Sequence, residues 1–170
     1  MALVAEMTTE RRYAGAGRVR LTALAADDIE SMASWLPAAL APEWALADLE
    51  GYVEYEGGVL ITDADLQPIG LAVTLLEKPE AGCATVPFLA VDPARRFRGL
   101  GGEAGIALDR HLKGLGYRKV YAPIPDGRGL AVYFWLRLGF RPLRQTESPG
   151  PVTGPLGEER AGIWMLSDSV

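Results

Sequence analysis

The sequence predicts a mixed α/β fold: a mostly antiparallel sheet flanked by helices, with one parallel pair of strands. Three features predict it. The apolar, β-branched runs 59–62, 69–76 and 84–91 follow one another across short turns, which implies an antiparallel meander. The last of these runs passes through Asp92-Pro93 into a basic, glycine-rich loop and then an alanine- and leucine-rich segment ending near Leu115. A further strand, Lys119-Val120-Tyr121-Ala122, comes next. Strand, helix, strand favours a parallel pair joined by a right-handed crossover.

The elements are read as follows. Residues 1–15 form an N-terminal extension, and 16–170 form a single domain. Val19-Arg20-Leu21-Thr22 alternates as a first strand. Asp27 and Asp28 suit the first turn of a helix that runs to Leu36 and is ended by Pro37. A second helix spans 42–55, with proline at its start. The meander follows, its first turn marked by Asp63-Ala64-Asp65 and Gln67-Pro68. A helix covers 100–115 and a strand 119–122. Asp126-Gly127 leads into a helix over 128–138, capped by Gly139. A strand over 140–143, a proline- and glycine-rich loop over 148–157 and a last strand over 163–166 complete the chain. The last strand is expected to pair with the one after Gly139.

The chain has 170 residues, 49% of them hydrophobic, enough for one sizeable core. No run of 18 uninterrupted apolar residues exists, so no membrane span is expected. Residues 1–15 contain Glu6 and Glu10 and lack a long apolar stretch, so they do not read as a signal peptide; a cytoplasmic protein is the default. The single Cys83 excludes an internal disulfide framework. No Cys/His cluster or spaced carboxylate set points to a metal. Residues 1–90 hold 14 acids and 5 Arg or Lys, a net −9; residues 91–170 hold 8 acids and 12 Arg or Lys, a net +4. The acidic half could attract a cationic substrate, or could be ordinary solvated surface. The basic residues are scattered and no nucleic-acid-binding signature is present, so no nucleic-acid partner is expected.

The glycine-rich loop carries the chemistry. Arg95, Arg96 and Arg98 precede Gly99, Gly101 and Gly102 at a helix start. Exposed backbone N–H groups, the helix dipole and the arginines together make a site for a phosphate-bearing ligand. A Walker A loop would need Lys followed by Ser or Thr, which Gly102-Glu103 does not supply. Gly99-x-Gly101-x-x-Ala104 fits a dinucleotide fingerprint weakly, because no acid stands after the next strand except Asp126. A basic turn into an ordinary helix is the plain alternative.

Arg96-Phe97-Arg98-Gly99-Leu100-Gly101, preceded by Val91-Asp92-Pro93, resembles the signature of the GCN5-related N-acetyltransferases: Arg or Gln, two residues, Gly, one residue, Gly or Ala. Residues 131–140, Ala-Val-Tyr-Phe-Trp-Leu-Arg-Leu-Gly-Phe, resemble that family's last helix. The resemblance spans roughly residues 18–167. It implies the acyl-CoA N-acyltransferase fold, with the fourth and fifth strands splayed around acetyl-CoA. Pro87 suits the bulged strand such a gap needs. The resemblance implies a backbone N–H from Leu89 or a neighbour as donor to the thioester carbonyl, with Leu89, Ala90 and Val91 lining the pantetheine arm. It places the pyrophosphate on the backbone from Phe97 to Gly102, including Gly99, Leu100 and Gly101, with charge from Arg96 and Arg98. Arg137 falls where relatives often carry a basic residue near phosphate; a solvent-facing helix arginine is the alternative. The two early helices and their loop would form one wall of the acceptor site.

Three departures bear on catalysis. The Tyr that protonates the leaving thiolate in many relatives is here Trp135, expected to pack on the pantetheine arm. Tyr133 lies about 200° round the helix, on the other face. The usual Asn is replaced by Arg128, and a Glu used by some relatives on the fourth strand is replaced by Thr85. His111 reads as a surface or boundary residue. Glu54 and Glu56 border the acceptor region and are the candidate general bases. The resemblance implies direct acetyl transfer to a primary amine of a small molecule or peptide. The rival is a coenzyme A-binding regulatory module without catalysis. A homodimer through an edge strand near the last hairpin is the expected association.

Overall fold

The computed structural model describes residues 15, 17–40, 44–53, 57–153 and 159–168, with 96–98 and 153 as backbone only. The expected extension over 1–15 falls almost wholly outside these residues. Seven strands form one sheet: β1 (Val19–Ala23), β2 (Gly58–Asp63), β3 (Pro68–Leu76), β4 (Cys83–Val91), β5 (Lys119–Pro125), β6 (Arg141–Pro142) and β9 (Gly162–Ser167), in the order β1-β2-β3-β4-β5-β9-β6. Every neighbouring pair is antiparallel except β4–β5. The loop expected over 148–157 contains β7 (Val152–Thr153), which pairs with β8 (Glu159–Arg160). The strand after Gly139 is only two residues long, and β9 pairs mainly with β5. Edge pairing of two copies there would have only Arg141 and Pro142 to work with. No helix among the described residues is long and apolar enough to cross a membrane.

Among the described residues five helices flank the sheet: α1 (Ala26–Ser31), α2 (Leu36–Leu40), α3 (Leu46–Val53), α4 (Leu100–Gly114) and α5 (Gly129–Arg137). The first does not run on to Pro37. It stops at Ser31, and Pro37 is instead the second residue of α2. Proline is tolerated in a first turn, where its missing N–H would have no helical partner anyway. Asp28 and Asp48 each sit third in their helix and accept the N–H of the residue before it: Ala25 at 2.8 Å and Ala45 at 2.7 Å. These contacts satisfy donors that a helix start leaves unpaired.

Burial divides between the two faces. On one, α4 and α5 pack over Val86, Leu108, Val120, Met165 and Trp135. On the other, α1–α3 cover Leu60, Leu71 and Val73 with Leu36, Leu40, Leu49 and Trp44. Beyond them Cys83, Tyr121, Trp164 and Leu166 form a third cluster with Leu143 and Val152.

Candidate active site

β4 and β5 are joined for only three residue pairs, Cys83–Lys119, Ala84–Val120 and Thr85–Tyr121. Beyond Thr85 they separate. The cause lies on the other side of β4. Leu75 pairs with Thr85 but Val73 pairs with Phe88, so Val86 and Pro87 together oppose Thr74. This is a bulge, and it sits where Pro87 has no N–H to give a ladder. Thr74 turns its N–H and hydroxyl to the Gly57 carbonyl on the β2 side, at 2.7 and 3.2 Å. The bulge also shifts the side-chain alternation: Ala84, Val86, Leu89 and Val91 belong to the α4–α5 face, while Phe88 joins the α1–α3 face.

The same register fixes where the Leu89 N–H points. Antiparallel pairs alternate between exchanging two hydrogen bonds and exchanging none. The Asp92 N–H donates to the Ile69 carbonyl at 2.7 Å. Ala90–Leu71 and Phe88–Val73 are then the bonded pairs, and Leu89–Ala72 is not. The Leu89 N–H therefore faces away from β3, into the gap left by β5.

A cleft of about 670 Å³ fills that gap. Its floor is Val86–Val91 of β4 and Pro123–Pro125 of β5. At one side stands the start of α4, contributing Gly99, Gly101 and Gly102. Gly99 precedes the helix in the left-handed region, φ 74°, which favours glycine. Its carbonyl accepts the Glu103 N–H at 3.1 Å, leaving the N–H groups of residues 100–102 without helical partners. A Cβ at Gly101 would meet only Phe134 Cε2, at 3.8 Å, and one at Gly102 only Leu138 Cδ2, also at 3.8 Å. Space for a ligand backbone is thus built in.

Ion pairs hold this loop from outside. Arg95 reaches Asp63 at the end of β2, 3.3 Å away. Asp63 is partly buried, which raises its carboxyl pKa, but hydrogen bonds from the Gln67 N–H and Arg95 outweigh that and hold it below the ordinary value. Arg18 meets Glu103 in the first turn of α4 at 2.8 Å.

The other side of the cleft is α5, with Leu130, Ala131, Phe134, Trp135 and Arg137. Trp135 is buried and sits against Phe140, ring centroids 4.7 Å apart, and edge-on to Phe134 at 5.1 Å. The Arg137 guanidinium lies 5.8 Å from the Tyr133 ring centre. Helical rotation was expected to turn Tyr133 away, yet it also lines the cleft, because α5 crosses the mouth and presents its exposed side at the rim.

The expected site residues divide accordingly. Leu89, Ala90, Val91, Gly99, Gly101, Gly102, Trp135 and Arg137 come together around one cleft. Leu100 turns its side chain into the core, leaving only its backbone at the loop. The backbone of Arg96, Phe97 and Arg98 forms a 3₁₀ turn (Pro93–Arg98); their side chains lie outside the described residues, as do Glu54 and Glu56. Thr85 is buried and its hydroxyl donates to the Lys78 carbonyl at 2.9 Å. Tyr121 is buried edge-on to Trp164 in the third cluster, away from the cleft, and burial followed by nearby Cys83 raises its pKa. His111 does not line the cleft.

Three features were not foreseen. Trp44, Leu40 and Val152 line the far end of the cleft, with Phe88 between them and Leu89. Arg128 lines it near α5. The described acids of the first half do not reach it: Asp28 and Asp48 cap helices, Asp63 pairs with Arg95, and the Glu77 carboxylate accepts the Gly82 N–H. The charge asymmetry therefore places no described carboxylate beside an acceptor.

No protein-family model matches the sequence, and no curated protein is significantly similar to it. Solved structures do match. A GCN5-related N-acetyltransferase from Kribbella flavida superposes with a TM-score of 0.64 at 19% identity, covering 89% of this chain and 98% of that one. The chain has the GCN5-related N-acetyltransferase fold. An acetyltransferase from Bacillus subtilis in complex with CoA shares this fold at a TM-score of 0.62 and 16% identity, over 90% of this chain and 99% of that one. An aminoglycoside acetyltransferase in complex with coenzyme A does so at 0.64 and 19%, over 88% and 94%. The seven-stranded, mostly antiparallel sheet with its single splayed parallel pair is the acyl-CoA N-acyltransferase architecture expected from residues 86–104 and 131–140.

Proposed function

We propose that the protein is an acetyl-CoA-dependent N-acetyltransferase acting on a primary amine by direct attack in a ternary complex. The observation that carries this reading is the Leu89 N–H, aimed into a gap opened by the Pro87 bulge and flanked by the N–H groups of residues 100–102, which have no helical partners. The donor set fits the cofactor. Backbone N–H groups of residues 100–102 would take the pyrophosphate, with the open space at Gly101 and Gly102 admitting it closely. Two solved structures of this fold were obtained with coenzyme A, which supports coenzyme A as the ligand. Leu89, Ala90 and Val91 would line the pantetheine arm on one side and Trp135 on the other.

The thioester carbonyl oxygen would accept the Leu89 N–H, which stabilises charge developing there as the amine attacks. The amine nitrogen forms the new C–N bond, the C–S bond breaks, and coenzyme A leaves as thiolate. The nitrogen's proton passes to a carboxylate base and from it to solvent. Trp135 supplies no proton, and a thiolate needs none to leave. Glu54 and Glu56 remain the proposed bases.

Isothermal titration should show saturable binding of coenzyme A, and a free-thiol assay with an amine panel should show turnover. Binding without turnover across the panel would favour a regulatory coenzyme A-binding module; no binding at millimolar concentration would overturn the reading altogether.

A further inference from the structure

Resting on that acetyl-transfer reading, we propose that the acceptor is a hydrophobic primary amine: an aromatic or branched apolar body carrying the reactive nitrogen as its one charged group. The cleft does not end at the Leu89 N–H. It continues past β4 to the opposite face of the sheet, where Leu40, Trp44, Pro87, Phe88 and Val152 form its walls. Trp44 is the centre of an aromatic row, 5.9 Å from Phe88 on one side and 5.9 Å from Tyr52 on the other. Trp44 and Leu40 are themselves buried, which fixes the wall that an acceptor would meet. Among the described residues the only charged side chains lining the cleft are Arg128 and Arg137, both on the α5 side and both cationic.

Two consequences follow for an amine entering this end. Its body trades water for apolar surface, which is favourable in proportion to its own apolar area. A second ammonium would be buried among these aromatic and aliphatic walls, which is costly. The same walls favour the neutral form of the single reacting amine, because desolvation lowers an ammonium pKa. Selection for an apolar body and generation of the nucleophile then come from one feature. The reaction stays balanced as above: the amine nitrogen gains the acetyl carbon, the sulfur loses it, and one proton is released.

The experiment compares 2-phenylethylamine with 1,4-diaminobutane and a lysine-containing peptide as acceptors, with acetyl-CoA as donor and coenzyme A binding measured in parallel by titration. The aromatic amine should have a kcat/KM higher by about tenfold or more, in the range that an apolar pocket discriminates. Phe88→Leu and the milder Trp44→Phe should each raise its KM while leaving the KM for acetyl-CoA and the coenzyme A dissociation constant unchanged. The proposal is overturned if the diamine or the peptide is preferred, if neither variant moves the amine KM, or if the variants instead alter the KM for longer acyl-CoA donors, which would make this end an acyl pocket. Loss of coenzyme A binding in the wild type would sink the acetyltransferase reading instead, so the two failures are distinguishable.

Discussion

Pro87 and Leu89 divide one task between them. Pro87 withholds an N–H from the ladder, and Leu89, two residues on, turns its N–H into the space that results. The part played by Leu89 does not depend on its side chain, so conservative changes there should leave turnover nearly intact. Gly101 is the opposite case. A Cβ there meets only Phe134, at 3.8 Å, and stands at the cleft. Gly101→Val should weaken coenzyme A binding by about tenfold or more, with little change in melting temperature, since no contact within the fold is lost and an ordinary residue suits a helix better than glycine. Titration and a thermal melt on one sample separate the two effects. Trp135 should behave in reverse. It is buried against Phe134 and Phe140, so Trp135→Ala should cost about 3–5 kcal/mol of stability as well as cofactor binding. An unchanged urea midpoint would contradict that packing role. Residue types announced the loop glycines and Trp135, because glycine spacing and an aromatic before Gly-Phe are visible in the chain. The Phe88–Trp44 row was not visible, because Phe88 changes faces only through the bulge.

The paired elements were legible where periodicity and turns were strong: β2 to β4, α4 and α5 lie within a few residues of their expected bounds. Errors fell where a local signal had two outcomes. Pro37 can end a helix or open one, and only the packing of Leu36 and Leu40 under the sheet decides. The strand after Gly139 is short: Arg141 and Pro142 pair with β9, and the Leu143 N–H adds one further bond to the Trp164 carbonyl. The β3–β4 pair carries a sharper consequence. Gly70 stands opposite Val91, and a Cβ on it would come within 2.3 Å of the Ala90 carbonyl oxygen and 3.1 Å of Val91 Cα. Backbone cannot swing aside as a side-chain tip does. Gly70→Ala should therefore force β4 away from β3 where Ala90 and Val91 face the cleft. The expected cost is about 1–3 kcal/mol of unfolding free energy, together with weaker coenzyme A binding. A variant of wild-type stability and affinity would show that the strands are not in this close approach.

Over the molecule as a whole, three described acids of the first half serve the fold, Asp28 and Asp48 at helix starts and Asp63 with Arg95, and this was not readable from their number alone. Titration near neutrality has a simpler source, since the chain has a single histidine. His111 lies on α4 with its Nε2 buried and without a hydrogen-bond partner, and burial lowers its pKa from the ordinary 6.5. The sign follows from that direction. Above 6.5 the imidazole is neutral in both folded and unfolded chains and titration contributes nothing. As pH falls below 6.5 the unfolded chain takes up the proton first, so stability declines until the lower folded pKa is passed. The carboxylate of Asp63, held below its ordinary 3.8, acts in a separate and more acidic window. The urea midpoint of the wild-type protein should thus fall between pH 7.5 and 5.5, and His111→Leu should remove most of that fall while leaving the loss below pH 4 in place. Equal slopes for the two proteins between pH 7.5 and 5.5 would mean that the imidazole is protonated as easily in the fold as in water.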